Sequence, residues 1–254
     1  MIAALRVAEH NGRTFRRAWR SSLGSFVSPF LYLAAMGLGL GSLVDRQSGG
    51  VDGVSYMEFL APGLLVAAAM QHGTASAAWP IMARIRWDRI YLSMLASPLA
   101  IDQVVLGELL WIAFRLLMTC TAFLLAMLAF GAVHTPLAVL AVPAGVLTGM
   151  AFAAPVTALT ATLSSDRGYN VLFRLGVTPL FLLGGAFFPV DRLPLPLRVV
   201  AWATPLFHGV SLSRALALHR VVPGIAAADV AVLLAYVLAG YVLARVTFRR
   251  QLAR

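Results

Sequence analysis

Few residues in this chain are equipped for chemistry. Among its 254 residues stand ten carboxylates, five histidines and the single cysteine Cys120, and all twenty basic residues are arginine. Without a lysine there is no P-loop lysine and no Schiff-base lysine, so the chain cannot power itself by splitting ATP at a P-loop or carry pyridoxal phosphate. One cysteine excludes an internal disulfide and a cysteine-based structural zinc site. No H-E-x-x-H, no G-x-S-x-G and no paired acidic motif occurs, so metal-assisted or serine-type hydrolysis has no residues to carry it. No catalytic, cofactor-binding or metal-ligating residue is predicted. The ionisable residues set among apolar runs are Glu108, Arg115, Arg174 and Asp229. Each is costly unless paired or hydrated, and Glu108 and Arg115, two turns apart on one helical face, are expected to pair with a neighbouring helix or subunit.

The elements that must position these residues follow from composition. The chain is 60% hydrophobic and 12% charged, which places it with multi-pass membrane proteins. Its net charge of +10 does not point to nucleic acid, because the arginines sit between long apolar runs. A bilayer core needs roughly 20 apolar residues of helix. On that measure spans are predicted over residues 21–44, 59–83, 103–130, 136–163, 170–189 and 221–247. The expected architecture is an all-α integral membrane protein, one domain over residues 1–254, with six transmembrane helices. An even number puts both termini on one side. The flanks on that side hold thirteen arginines against five on the other, so both termini are expected in the cytoplasm.

Three segments outside the spans carry more than a connector needs. In residues 1–20, Arg13, Arg16, Arg17 and Arg20 share one helical face and Phe15 and Trp19 the opposite one, which predicts an amphipathic helix lying on the membrane surface. The loop at residues 84–98 holds Arg84, Arg86, Trp87, Asp88, Arg89 and Tyr91. Trp87 and Tyr91, four apart, predict one aromatic face, either buried in the headgroup layer or inserted into a partner's groove. Arg84 and Asp88 share the same spacing and are expected to pair weakly. Residues 190–220 contain an apolar stretch too short to span and broken by Pro205, which predicts a re-entrant hairpin on the outer face.

The run Gly184-Gly185-Ala186-Phe187-Phe188-Pro189-Val190-Asp191-Arg192-Leu193-Pro194, followed by Trp202-Ala203-Thr204-Pro205-Leu206-Phe207-His208, resembles the signature of the permease subunits of type-2 ABC exporters. That family includes drug-resistance, nodulation-factor and polysaccharide exporters, and the wording is nearest to its NodJ-like branch. Arg89-Ile90-Tyr91-Leu92-Ser93-Met94-Leu95-Ala96-Ser97-Pro98 is similar to the family's first cytoplasmic loop, its coupling helix. Where members usually open that loop with an acidic residue, this chain has Trp87-Asp88-Arg89. The resemblance covers nearly all of the chain.

The resemblance implies a transport permease of a bacterial plasma (inner) membrane that is not itself an enzyme and forms the path for an amphipathic, lipid-like, drug or saccharide substrate. ATP and Mg would be bound by a separate ABC ATPase subunit in two copies, and a second copy of this chain or a homologous permease would complete the path, with membrane lipid around it. The loop at 84–98 would be the ATPase coupling element. Phe187, Phe188, Pro189, Asp191, Pro194, Pro205 and His208 would form the outer gate. Small residues at Gly37, Gly39, Gly41, Gly145 and Gly149 are candidates for helix contact across the permease pair. The alternative is a proton-coupled secondary transporter, which needs ion-coupling groups near the midplane and often a repeat. Asp229 sits near a helix end, and no repeat is evident.

Overall fold

The computed structural model describes residues 6, 7, 9, 11, 12, 23–88, 90–96, 99–165 and 167–252. Arg13, Phe15, Arg16, Arg17, Trp19 and Arg20 of the expected surface helix, and Arg89 of the loop, lie outside the described residues. The described residues are almost wholly helical, with one isolated two-residue bridge, Val51 to Val54. In order they form α1 (Leu23–Tyr32), a π-helical stretch (Leu33–Leu40), α2 (Gly41–Ser48), α3 (Tyr56–Arg86), α4 (Ile90–Leu95) and α5 (Ile101–Ala129). A 3₁₀ turn (Pro136–Leu140), α6 (Ala141–Thr162), α7 (Arg167–Val171), a second π-helical stretch (Leu172–Val177) and α8 (Thr178–Leu183) follow. A 3₁₀ turn (Val190–Arg192), α9 (Leu195–Trp202), α10 (Pro205–Ala217) and α11 (Pro223–Leu252) complete the chain. Three helices, Ile101–Ala129, Pro136–Thr162 and Pro223–Leu252, are long and apolar enough to cross a membrane.

Local signals set the ends of these helices. Ser55 caps α3 by accepting from the Glu58 amide at 3.3 Å while the Glu58 carboxylate accepts from the Ser55 amide at 2.9 Å. Gln103 accepts from the Ala100 amide at 3.1 Å and does the same at the start of α5. Gly131, at φ +69°, lets the chain turn out of α5 in a conformation that other residues adopt poorly. Thr135 then caps the Pro136–Leu140 turn.

α3 is the central helix, and most of its residues are buried. It carries Pro62 and Pro80, each of which withholds a main-chain donor from its turn. In the first of these turns the carbonyls of Phe59 and Pro62 accept from Arg214 Nε (3.2 Å) and Ser213 Oγ (3.2 Å) of α10. In the second, the carbonyls of Ala77 and Ala78 accept from Thr160 Oγ1 (2.8 Å) and Tyr169 OH (3.2 Å). The carbonyls that Pro62 and Pro80 free are those of Glu58 and Ser76, four residues earlier, so these bonds fall on neighbouring carbonyls of the same turns and tie α3 to α10, α6 and α7.

Glycine allows α3 and α6 to meet backbone to backbone. A Cβ on Gly73 would sit 2.5 Å from the Gly149 carbonyl oxygen. Gly145 lies beside Leu65 and Cys120, and Gly149 beside Ala69 and Leu116, so these two glycines serve contacts inside the chain. Gly37 faces Met57 in the same way, while nothing lies within 4 Å of a Cβ on Gly39. Gly73→Ala is therefore expected to force the helices apart and destabilise the protein by about 1–3 kcal/mol, read as a lower thermal midpoint in detergent, whereas Gly39→Ala leaves the midpoint unchanged.

Candidate functional site

Polar side chains gather at the two ends of the bundle. One end collects the C-terminal turns of α3 and α11 with the first turns of α5. There Glu108, 1% exposed, accepts from Arg84 Nη1 at 2.5 Å and from Asn11 Nδ2 at 3.1 Å. Arg84 therefore turns to α5 rather than to Asp88, because a carboxylate in the core answers the guanidinium more strongly than one in solvent. Arg86 donates to the Leu163 carbonyl at 2.9 Å, and Asp102 accepts from Arg249 at 2.7 Å and from Arg245. This end binds α3, α5, α6, α11 and residue 11 into one polar cap.

The loop leaving α3 does not carry its aromatics on a single face. The amides of Trp87 and Asp88 both donate to the Ala83 carbonyl at 2.9 Å, which closes the helix and turns the chain. A new helix starts at Ile90, so the four-residue spacing no longer stacks the two side chains. Trp87 is 66% exposed, while Tyr91 is fully buried with its ring 5.9 Å from Phe248 of α11. Burial, reinforced by the Glu108 carboxylate, pushes the Tyr91 phenol well above its ordinary range, so it stays neutral. Tyr91 anchors the loop and Trp87 is what the loop presents.

The opposite end is built around the hairpin of α9 and α10. Arg214 lies over the Phe59 ring at 3.6 Å and also donates to the Gly185 carbonyl at 2.9 Å. The bent segment at 184–189 rests on α3 because Gly63 has no Cβ, which would otherwise come 2.8 Å from Ala186 Cα. Phe187 packs edge-on against Phe181 at 5.1 Å, and its carbonyl accepts from Tyr56. Phe188 and Pro189 are half-buried, and Pro189 precedes the 3₁₀ turn that holds the exposed Asp191. Pro194 and Pro205 open α9 and α10, and Pro205 is buried. Arg198 closes the turn on the carbonyls of Asp191 and Leu193. His208 meets Asp229 of α11 at 2.7 Å. A cavity of about 290 Å³ lies beneath, lined by Asp52, Asp191, Phe207, Arg214 and Arg220.

Between the ends, Gln71 and His72 of α3 border a cavity of about 360 Å³ with Phe173 and Val177. Trp79 stacks on Phe173 at 4.9 Å beside Tyr169. Arg115 is half-buried and makes no ion pair among the described residues. No group of three or more His, Cys, Asp or Glu side chains among the described residues is placed to hold a metal ion.

Sequence reasoning named Glu108, Arg84, His208 and Asp229 but not the pairing of His208 with Asp229, nor Asn11 as a partner of Glu108, nor the inward role of Arg214. Removing the Glu108 carboxylate leaves Arg84 and Asn11 without an acceptor. Glu108→Ala is expected to cost about 2–4 kcal/mol, below the cost for a fully enclosed pair because the Arg84 side chain keeps 19% exposure. Glu108→Gln, whose amide oxygen still accepts from both donors, should cost less than half of that. Thermal unfolding of the purified protein orders the two variants, and equal midpoints would deny the pair its role.

Residues 11–218 match the family described as ABC-2 type transporter. The chain is 32% identical over 240 residues to nodulation protein J of Rhizobium leguminosarum bv. viciae, covering 94% of this chain and 90% of the relative. It is 35% identical over 215 residues to nodulation protein J of Sinorhizobium fredii (strain NBRC 101917 / NGR234), covering 82% and 80%. It is 34% identical over 202 residues to nodulation protein J of Rhizobium meliloti (strain 1021), covering 78% and 76%. The exposed apolar helices, the polar caps at both ends and the absence of a P-loop lysine agree with these matches: the chain belongs to the ABC-2 type transporter family, as a membrane permease similar to nodulation protein J.

Proposed function

We propose that this chain is half of the translocation path of an ATP-driven exporter. Its six spans run through α1 to α2, α3, α5, α6, α7 to α8, and α11. The end that holds Arg84, Arg86, Arg245 and Arg249 faces the cytoplasm, with both termini, in a bacterial inner membrane. Two copies, or one copy with a homologous permease, enclose the path, and two ATPase subunits carrying ATP and Mg supply the energy. The path takes an amphipathic substrate of lipid, drug or saccharide character, and the hairpin of α9 and α10 re-enters from the outside to gate it.

The observation that carries this reading is the build of the loop after α3. Trp87 stands 66% exposed at an end otherwise sealed by ion pairs, and Tyr91, a few residues on, is locked into the bundle against Phe248. An exposed aromatic on a fastened loop is what a partner needs in order to push on the bundle. Nothing in this chain supplies the energy itself, since it has no P-loop lysine.

Two experiments test the reading. Trp87→Ala in the reconstituted complex is expected to lower vanadate-sensitive transport by about tenfold, the loss typical of an interface anchor, while the permease keeps its thermal midpoint. Unchanged transport would remove Trp87 from the coupling contact. Leu195→Cys in a Cys120→Ala background is expected to react with an impermeant thiol reagent applied outside intact cells, and labelling only after membrane disruption would invert the orientation.

A further inference from the structure

The outer hairpin is tied to α11 by a histidine whose two ring nitrogens both face acceptors. His208 of α10 places Nδ1 2.7 Å from Asp229 Oδ1 and Nε2 3.0 Å from the main-chain carbonyl of Trp202, the last residue of α9. A neutral imidazole has one N–H, which satisfies one of the two. The Trp202 carbonyl can only accept. Both contacts are therefore hydrogen bonds only when the pair holds one proton more than a neutral imidazole beside a carboxylate. That proton sits on the ring, giving imidazolium and carboxylate, or on Asp229, giving a carboxylic acid that donates to Nδ1. We infer that His208 and Asp229 form a proton-binding site whose occupancy clasps the hairpin to α11.

The surroundings make the unprotonated state costly. Asp229 is 4% exposed, and its Oδ2 has no hydrogen-bond partner. With the proton the pair is neutral overall; without it a net negative charge is left among apolar side chains, and one contact sets acceptor against acceptor. Among the described residues no other charged side chain is shown bonded to Asp229: on α5, which also packs against α11, Asp102 is held by Arg245 and Arg249 and Glu108 by Arg84, and Arg115 makes no ion pair. α6 packs against both α10 and α11 and has no titratable side chain from Ala141 to Thr162. Arg198 of α9 lies 6.0 Å from the Trp202 ring and donates to the carbonyls of Asp191 and Leu193. Arg214 of α10 is engaged with the carbonyls of Phe59 and Gly185, and Glu58 of α3 with Ser55 and His134. Phe207 meets the imidazole edge-on at 5.5 Å. From α11, Tyr236 OH donates to the Ala203 carbonyl at 2.7 Å, a second tie that carries no charge.

When the proton leaves to water, the corner at residues 202–204 keeps the Tyr236 tie and loses the ionic one. The hairpin is thus held at low pH and freed at high pH, whatever drives transport. Asp229→Asn separates the effect of the proton from that of the contact, because its amide can donate to Nδ1 of a neutral ring that donates from Nε2 to Trp202.

The test uses the full chain in lipid nanodiscs, with Cys120→Ala and Thr204→Cys, labelled by an impermeant maleimide from about pH 5.5 to about pH 8.5. Dividing each rate by that of the same protein with Asp229→Asn cancels the thiol's own pH dependence. The ratio is expected to rise about tenfold across this range, the effect of losing one buried charge-assisted hydrogen bond. A flat ratio overturns the inference. Nitrogen-15 and carbon-13 spectra of the labelled protein at about pH 6, with the His208 signal identified by its loss in His208→Gln, count the proton without relying on the aspartate variant. An imidazolium, or a neutral ring beside a protonated Asp229, supports the site, and a neutral ring beside an ionised Asp229 overturns it. No ATPase enters either measurement, so failure here leaves the export reading standing.

Discussion

α3 is a buried central helix, and the rest of the structure is tied to it through its main-chain carbonyls near Pro62 and Pro80. A carbonyl has a second lone pair beyond the one its own helix uses, and inside an apolar bundle a side chain from a neighbouring helix can donate to it. α10 supplies Arg214 and Ser213 at the turn of Pro62, and α6 and α7 supply Thr160 and Tyr169 at the turn of Pro80. Those bonds fix where the hairpin and the segment after α6 lie. The close approach of Gly73 to Gly149 and of Gly63 to Ala186 then brings the donors within reach. Close packing and hydrogen bonding thus act at the same two turns of α3.

The two ends treat charge differently. At the arginine-rich end the carboxylates of Glu108 and Asp102 are each shared between donors from separate segments, so the ends of α3, α5 and α11 move as a unit. Tyr91, buried against Phe248, ties the loop after α3 to the same end. At the hairpin end the cation Arg214 is met by carbonyl dipoles and an aromatic face and not by a carboxylate, and the one close histidine–carboxylate contact there, besides His134 with Glu58, joins the hairpin to α11. The hairpin end is tied as well, through Arg214, Ser213, His208 and Tyr236, so the two ends differ in the kind of partner and not in the number of bonds.

Much of this was legible in the residues. The runs 103–130, 136–163 and 221–247 coincide with the three helices long and apolar enough to cross a membrane, Ile101–Ala129, Pro136–Thr162 and Pro223–Leu252, since length and charge-free windows are local properties. Pro205 marked the break at the start of α10, and the gap between the runs 103–130 and 136–163 marked the turn between α5 and α6. Pairings between distant segments were not legible. Nothing in the sequence joins Asn11 to Glu108 or Asp229 to His208, because such contacts are set by packing and not by spacing. The aromatic face drawn through Trp87 and Tyr91 assumed an unbroken helix, and α3 ends between them. Gly145 and Gly149 have the spacing of a helix-pairing motif and do pair helices, but within the chain.

The central claim is that the loop after α3 is where an ATPase grips this permease. A photoreactive amino acid in place of Trp87, activated in native membranes, tests it most directly. The account predicts a cross-link to a P-loop ATPase whose yield changes when ATP with vanadate replaces ATP alone. Cross-links to lipid only, with no ATPase captured in either state, would contradict it.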